Sequence, residues 1–406
     1  PLPELNSHHA FKVVTLLGVL AMLGPVAHDI FVPAMPIIAD GLNSNTSQVS
    51  VSISAIFLGS AIGTLFHGPL SDRFGRKIII LWVLGIYIVA AIAAALSPNV
   101  EILIISRFFQ GFAVAGGKVL SAAVARDLFE KENLGRVMSN IMFMAAISAI
   151  VAPLIGGYAA KHLPWQSTLL FMAIFATLAF ILFLLFFNER SIIDRKDSLQ
   201  IRLVYRDIMS ITSNWSFLAY SLNGGLMLAG LIVFLSVSAN IIIVSYGVPA
   251  NIYGFLFASV SLSFLFGTFV GARLVRKIGL RRMIKWGVLF GFFGGSLMLF
   301  LAMLGIRTSY AVIVPMWIFM FGYAFVGPNT VAGALQPFPN MSGTASSLTN
   351  FIQGIIGVTV SFVVSFFPHD DALVLAITLF SLGCAAVLSI RLKGTVRGKL
   401  TLTSID

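Results

Sequence analysis

One carboxylate and two cationic side chains fall well inside long apolar runs of this chain: Asp29, Arg107 and Lys118. A charge in hydrocarbon is costly, so such a group faces a cavity, pairs with an opposite charge or exchanges a proton. Asp29, in HDIFVPAMP, is the one acid of fifteen well within a run. A carboxyl group there can hold a proton in one state and face a substrate in another. Two structural alternatives stand beside that reading: a permanent ion pair, or an Asp close enough to the outer surface to stay wet, because Pro33 and Pro36 follow closely and proline ends helices. Arg107 and Lys118 are eleven residues apart. On a helix that is nearly a whole number of turns, so both point the same way, about 16 Å apart, with Gly111 and Val114 between them. A basic stripe on an apolar helix is expected to look into a watery passage and to favour anionic or strongly polar groups. The alternatives are pairing of Arg107 with backbone carbonyls and snorkelling of Lys118 to the inner interface. From the second half, Tyr220, Asn223 and Gln353 are candidate lining residues, with Asn240, Asn329 and Gln336 behind them. Interhelical hydrogen bonding is the competing role for all of these.

The elements that must position these groups are read from composition. Of 406 residues, 58% are hydrophobic and 10% charged, against about 25% charged in a soluble domain. Twelve apolar runs approach or exceed the ~20 residues of a spanning helix: 12–37, 46–68, 76–97, 100–125, 136–160, 166–188, 213–240, 250–274, 281–304, 308–334, 342–367 and 371–392. The first run lacks a basic leader and a cleavage site and is expected to be a span rather than a signal peptide. With the N-terminus inside, 22 of the 26 Lys and Arg residues fall on the inner face and only Lys161 and Arg307 on the outer one. The bias places both termini in the cytoplasm. It also accounts for the net charge of +11 without nucleic acid as a partner.

The longest polar stretch, 189–212, divides the chain into an N-terminal six-helix bundle (1–188), a cytoplasmic linker and a C-terminal six-helix bundle (213–406). The linker's IRLVYRDIM segment has the pattern of a short amphipathic helix lying on the membrane. The expected fold is therefore all-α: a polytopic membrane protein with twelve transmembrane helices in two pseudo-symmetric halves. The basic turn Asp72–Lys77 recurs about 205 residues later within Arg273–Arg282, without its acid. Cys384 is alone, so a disulfide within the chain and a thiolate metal cluster are excluded. His28, His67 and His162 have no second ligand at metal spacing, so no metal site is expected. Gly116–Lys118, GGK, lacks the spacing of a phosphate loop. No nucleophile–base pair suggests an enzyme.

Gly68–Lys77, GPLSDRFGRK, packs Asp72, Arg73, Arg76 and Lys77 around Gly75 between two apolar runs. It resembles motif A of the major facilitator superfamily, G-x-L-x-D-R-x-G-R-K. Arg107–Gly111, RFFQG, resembles motif B, R-x-x-Q-G, and contains Gln110; Ala152–Gly157, APLIGG, resembles the antiporter motif C, G-P-x-x-G-G, through Pro153, Gly156 and Gly157, with Ala152 in place of its first Gly. Asp29–Pro36, Arg126–Phe129, Tyr246–Val248, Pro337–Pro339 and Gly343–Ser347 narrow the likeness to twelve-span drug:proton antiporters of the bicyclomycin-resistance (Bcr/CflA) type.

The resemblance implies proton-coupled efflux of drugs or related amphipathic compounds across a bacterial inner membrane by alternating access. It implies no cofactor other than the coupling proton, and a small-molecule substrate, protons and the lipid bilayer as partners of a monomer. Asp29 and Arg107 would couple the proton, and both would meet substrate together with Gln110, Lys118, Tyr220, Asn223 and Gln353. Gly68, Asp72, Arg73, Gly75, Arg76 and Asp127 would form a conformational latch. Lys118 departs from typical members and keeps open a dedicated exporter or importer of an anionic metabolite or siderophore. Passive transfer and a transporter-like receptor are further alternatives.

Overall fold

The computed structural model describes residues 7–187, 201–368 and 370–402. Its helices are α1 (Ser7–Asp29), α2 (Met35–Gly41), α3 (Thr46–Phe74), α4 (Arg76–Ala95), α5 (Val100–Leu128), α6 (Lys131–His162), α7 (Gln166–Phe186), α8 (Ile201–Thr212), α9 (Trp215–Ala239), α10 (Ala250–Ile278), α11 (Leu280–Met303), α12 (Ser309–Leu335), α13 (Ser342–Val364) and α14 (Leu373–Leu402). Twelve segments of the described residues are long and apolar enough to cross a membrane, the first being Ala10–Gly41. Backbone groups in hydrocarbon must be bonded within the segment, so helices are the natural solution for such runs. Large apolar side chains such as Trp82, Val89, Phe293 and Phe300 are exposed, as a surface facing lipid requires.

Local chemistry sets the ends. Asn45, Asn99 and Asn214 cap α3, α5 and α9 by accepting from the amides of Gln48, Ile102 and Phe217 at 2.8, 3.0 and 3.1 Å. Gly75 (φ +96°) ends α3 and Gly279 (φ +80°) ends α10, in a backbone region open to little but glycine. The first span is broken. α1 stops at Asp29, a short 3-10 turn covers Val32–Ala34, and α2 resumes at Met35. The sequence places one run over 12–37, with the helix stopping near the prolines; the helix in fact stops four residues before the first of them. Pro33 and Pro36 carry no N–H, so the carbonyls four residues earlier, on Asp29 and Val32, lose their helical donors.

By packing, the chain forms two units: Pro1–Gln200 with Ala250–Ala258, and Ile201–Pro249 with Ser259–Asp406. Within the first, α1 packs on α5, α6 and α7, α3 on α5, and α4 on α5 and α7. Within the second, α9 packs on α12, α13 and α14, and α11 on α12 and α14. Counting spans within each half, first-on-fifth, first-on-fourth, first-on-sixth, third-on-fourth and third-on-sixth contacts occur in both. Glycines permit the closest approaches: a Cβ at Gly59 or Gly111 would strike the backbone of the facing helix in the α3–α5 pair. The linker expected over 189–212 lies outside the described residues up to position 200. Its remainder is α8, which packs on α9 and α13.

Candidate transport site

The break in the first span places Asp29 at the C-terminal end of α1, buried, where Nδ1 of His28 donates to its Oδ1 at 2.7 Å. Gly156 on α6 lets that helix close on the carbonyl of Ile30, where any Cβ would collide. The break thus packs against Gly156, the first of the two glycines that follow Pro153. Gly157 approaches the backbone of Ala250 and Gly254, and Gly254 approaches the carbonyl of Pro153. These contacts bring the first turns of α10 into the first unit.

Arg107 is wholly enclosed, at 0% exposure. Its Nη1 donates to Oε1 of Gln110 at 2.5 Å, and the guanidinium lies 4.2 Å from the centre of the Phe31 ring. Nε and Nη2 make no hydrogen bond. Gln110, equally buried, turns its amide toward the sulfur of Met172 at 3.5 Å. Tyr87, also at 0% exposure, donates to the carbonyl of Leu23 at 3.4 Å. Asp29 and Arg107 are not ion-paired; Phe31, two residues beyond Asp29, lies over the cation instead.

Lys118 is exposed. Arg107 and Lys118, expected to line one watery passage, thus differ in their access to water: the first is enclosed and the second accessible. The broken first span folds Phe31 over Arg107. Pairing of Arg107 with backbone carbonyls is also not what occurs; Gln110, one turn along, takes that place.

At the turn between α3 and α4, Arg76 is buried and joins three partners. Nη2 meets Asp72 at 2.6 Å, Nε meets Asp127 on α5 at 2.8 Å, and Nη1 donates to the hydroxyl of Ser71. Arg73 stacks on Phe74, 5.2 Å from the ring centre, and Lys77 donates to the carbonyl of Leu184 at 3.1 Å. Gly68 lies 3.9 Å, measured from a built Cβ, from the Val119 side chain and is not crowded. Gly75 supplies the positive φ that turns the chain.

In the second unit Tyr220 is buried against Gly333. Asn223 donates to the carbonyl of Ala219 at 2.8 Å and accepts from Ser389 at 3.1 Å. Gln353 reaches the hydroxyl of Thr330 at 3.5 Å, beside Gly224. Asn223 and Gln353 therefore bond within the unit, the role that competes with lining a passage. The structure brings Asp29, Arg107 and Gln110 into one region of the first unit.

Sequence reading missed His28, whose only signal was adjacency to Asp29. It also missed Tyr87 and Met172, which lie on α4 and α7 and have no signal of their own. Among the described residues no group of three or more His, Cys, Asp or Glu side chains could hold a metal ion.

The profile of the Major Facilitator Superfamily matches residues 17–361. A bicyclomycin resistance protein homolog of Haemophilus influenzae is 31% identical over 389 residues, covering 94% of each chain. Multidrug resistance protein D of Escherichia coli is 26% identical, covering 85% of this chain and 86% of its own. Among solved structures, a partially occluded inward-open conformation of the xylose transporter XylE from E. coli aligns with a TM-score of 0.73 at 16% identity, covering 95% of this chain and 97% of that one. The protein is a multi-pass membrane transporter and not an enzyme, and it belongs to the Major Facilitator Superfamily.

Proposed function

We propose that the protein exports drugs or related amphipathic small molecules across a bacterial inner membrane in exchange for protons, by alternating access, with both termini in the cytoplasm. The observation that carries this reading is Asp29: a carboxyl group buried at a break in the first span, within the same unit as a fully enclosed guanidinium. A carboxyl so placed is costly unless it is used, and proton exchange is the use that membrane carboxyls commonly serve. Each elementary charge driven by 100 mV supplies about 2.3 kcal/mol, enough to couple to export. Arg107 would act at a distance on Asp29 and not as its ion-pair partner. The Asp72–Arg76–Asp127 cluster would stabilise one of the two states, and it can bias the equilibrium only if its bonds break in the other.

The test is reconstitution in vesicles with an imposed pH gradient, reading dye or bicyclomycin efflux together with proton flux. Asp29→Asn is expected to fold and to bind ligand but to lose gradient-driven transport. Normal coupled pumping by that variant would remove the role given to Asp29.

A second reading, transport of an anionic metabolite, is favoured by the exposed Lys118. Competition between cationic dyes and carboxylates separates the two. A cation preference that survives Lys118→Ala counts against the anionic substrate.

A further inference from the structure

His28 sits in the last turn of α1 and hydrogen-bonds Asp29, yet no motif accounts for it. The two side chains differ in access: that of His28 is 20% exposed and that of Asp29 6%. The imidazole is stacked on Phe57 of α3, with ring centres 5.4 Å apart at 25°. That contact fixes the ring plane while Nδ1 is bonded to the carboxylate. Its other nitrogen points back along α1: Nε2 lies 3.9 Å from where a Cβ would stand on Gly24, a residue with no side chain to cover it.

We infer that His28 delivers the proton to Asp29. Nε2 takes a proton from water on the exposed side, and Nδ1 gives its own proton to Oδ1 of Asp29. The hydronium that supplies the proton loses one O–H bond and leaves as water; one N–H bond forms at Nε2, one breaks at Nδ1, and one O–H forms on Asp29. The imidazole begins and ends neutral, in opposite tautomers, and the carboxylate becomes a carboxylic acid. Release runs the same steps backwards and restores the first tautomer. Imidazole suits the task because one ring nitrogen can accept a proton while the other donates one.

Of the ionisable groups on the packed helices, His67 on α3 bonds the carbonyl of Gly63, Arg107 on α5 bonds Gln110 and His162 on α6 stacks on Tyr158. Lys118 also lies on α5 and Lys161 on α6, and α7 carries no ionisable side chain. The inference rests on Asp29 being the proton site, and the experiment separates the two.

The experiment uses the full chain in lipid vesicles and needs no substrate. After a pH jump from 8 to 5, within the range where imidazole titrates, time-resolved infrared difference spectra follow the rise of a protonated-carboxyl band. Loss of that band in Asp29→Asn assigns it. His28→Asn keeps a donor in the place of Nδ1 but cannot pass a proton on. The band is expected to appear at least about tenfold more slowly in it, within the range general acid–base groups contribute. The pH dependence of that rate should also differ from that of the unaltered protein. His28→Gln serves if His28→Asn does not fold, with the same criterion. A rate and pH profile equal to those of the unaltered protein would overturn the role of His28 and leave Asp29 standing. A band that persists in Asp29→Asn would overturn the reading of Asp29 itself.

Discussion

The turn after the second span of each half has the same backbone and different electrostatics. Gly75 and Gly279 both end a helix at positive φ, +96° and +80°, with ψ of 149° and 156°. Placing the two glycines in register sets Arg276 against Asp72 and Leu280 against Arg76. In the first unit the turn is tied to α5 through Arg76 and Asp127 at 2.8 Å. In the second, Arg273 stacks on Phe269 at 3.6 Å, and no carboxylate lies within Arg273–Arg282. The same asymmetry runs through the spans. The first unit encloses Asp29 and Arg107, whereas the second uses neutral pairs such as Asn223–Ser389 and Ser236–Ser361, at 3.1 and 2.7 Å. A repeated fold has thus kept its helix pairing in both copies and concentrated its buried charge in one.

The largest expected effect comes from making the first turn like the second. Arg76→Leu leaves Asp72 and Asp127 facing each other without the cation between them. It should lower stability by about 2–4 kcal/mol, toward the range seen when one partner of a buried pair is removed, read as thermal unfolding in detergent. Leu280→Arg, the reverse exchange, should gain nothing, because no acid waits for it. A loss as large in Leu280→Arg as in Arg76→Leu would break the contrast.

The shared backbone is tested by Gly75→Ala and Gly279→Ala. Both glycines occupy a region essentially closed to other residues, so each substitution should cost about 1–3 kcal/mol and by similar amounts. A neutral Gly279→Ala beside a damaging Gly75→Ala would show that the turns are not equivalent. The smallest effect is expected in the neutral half. Ser389→Ala removes one interhelical bond from Asn223 and should cost about 0.6 kcal/mol, the average for such bonds between membrane helices. A cost of several kcal/mol would mean the second unit also depends on a strong polar centre.

Most of the fold was legible in the chain because each spanning helix must be a long apolar run, and no alternative secondary structure satisfies its backbone in lipid. The break after Asp29 was legible only in outline: Pro33 and Pro36 announce an end, but where the helix stops depends on which carbonyls lose their donors. At the site, the rarity of charge in the spans picked out Asp29, Arg107 and Lys118. Periodicity then put the two cations on one face but could not show what covers Arg107, because Phe31 reaches it by a turn between helices that spacing along α5 cannot encode. Gln110 was visible through its motif, whereas Met172 and Tyr87 come from other helices and look like ordinary core residues. Asn223 and Gln353 were chosen as polar side chains in apolar runs, a criterion that fits interhelical bonds as well as a passage.

The most direct test of the account is proton movement through Asp29. Vesicles loaded with substrate and a pH-sensitive dye, holding either the unaltered protein or Asp29→Asn, would be compared for protons moved per substrate exported. The account predicts coupled flux in the first and none in the second, with substrate binding retained in both. Equal coupling in the two would contradict it.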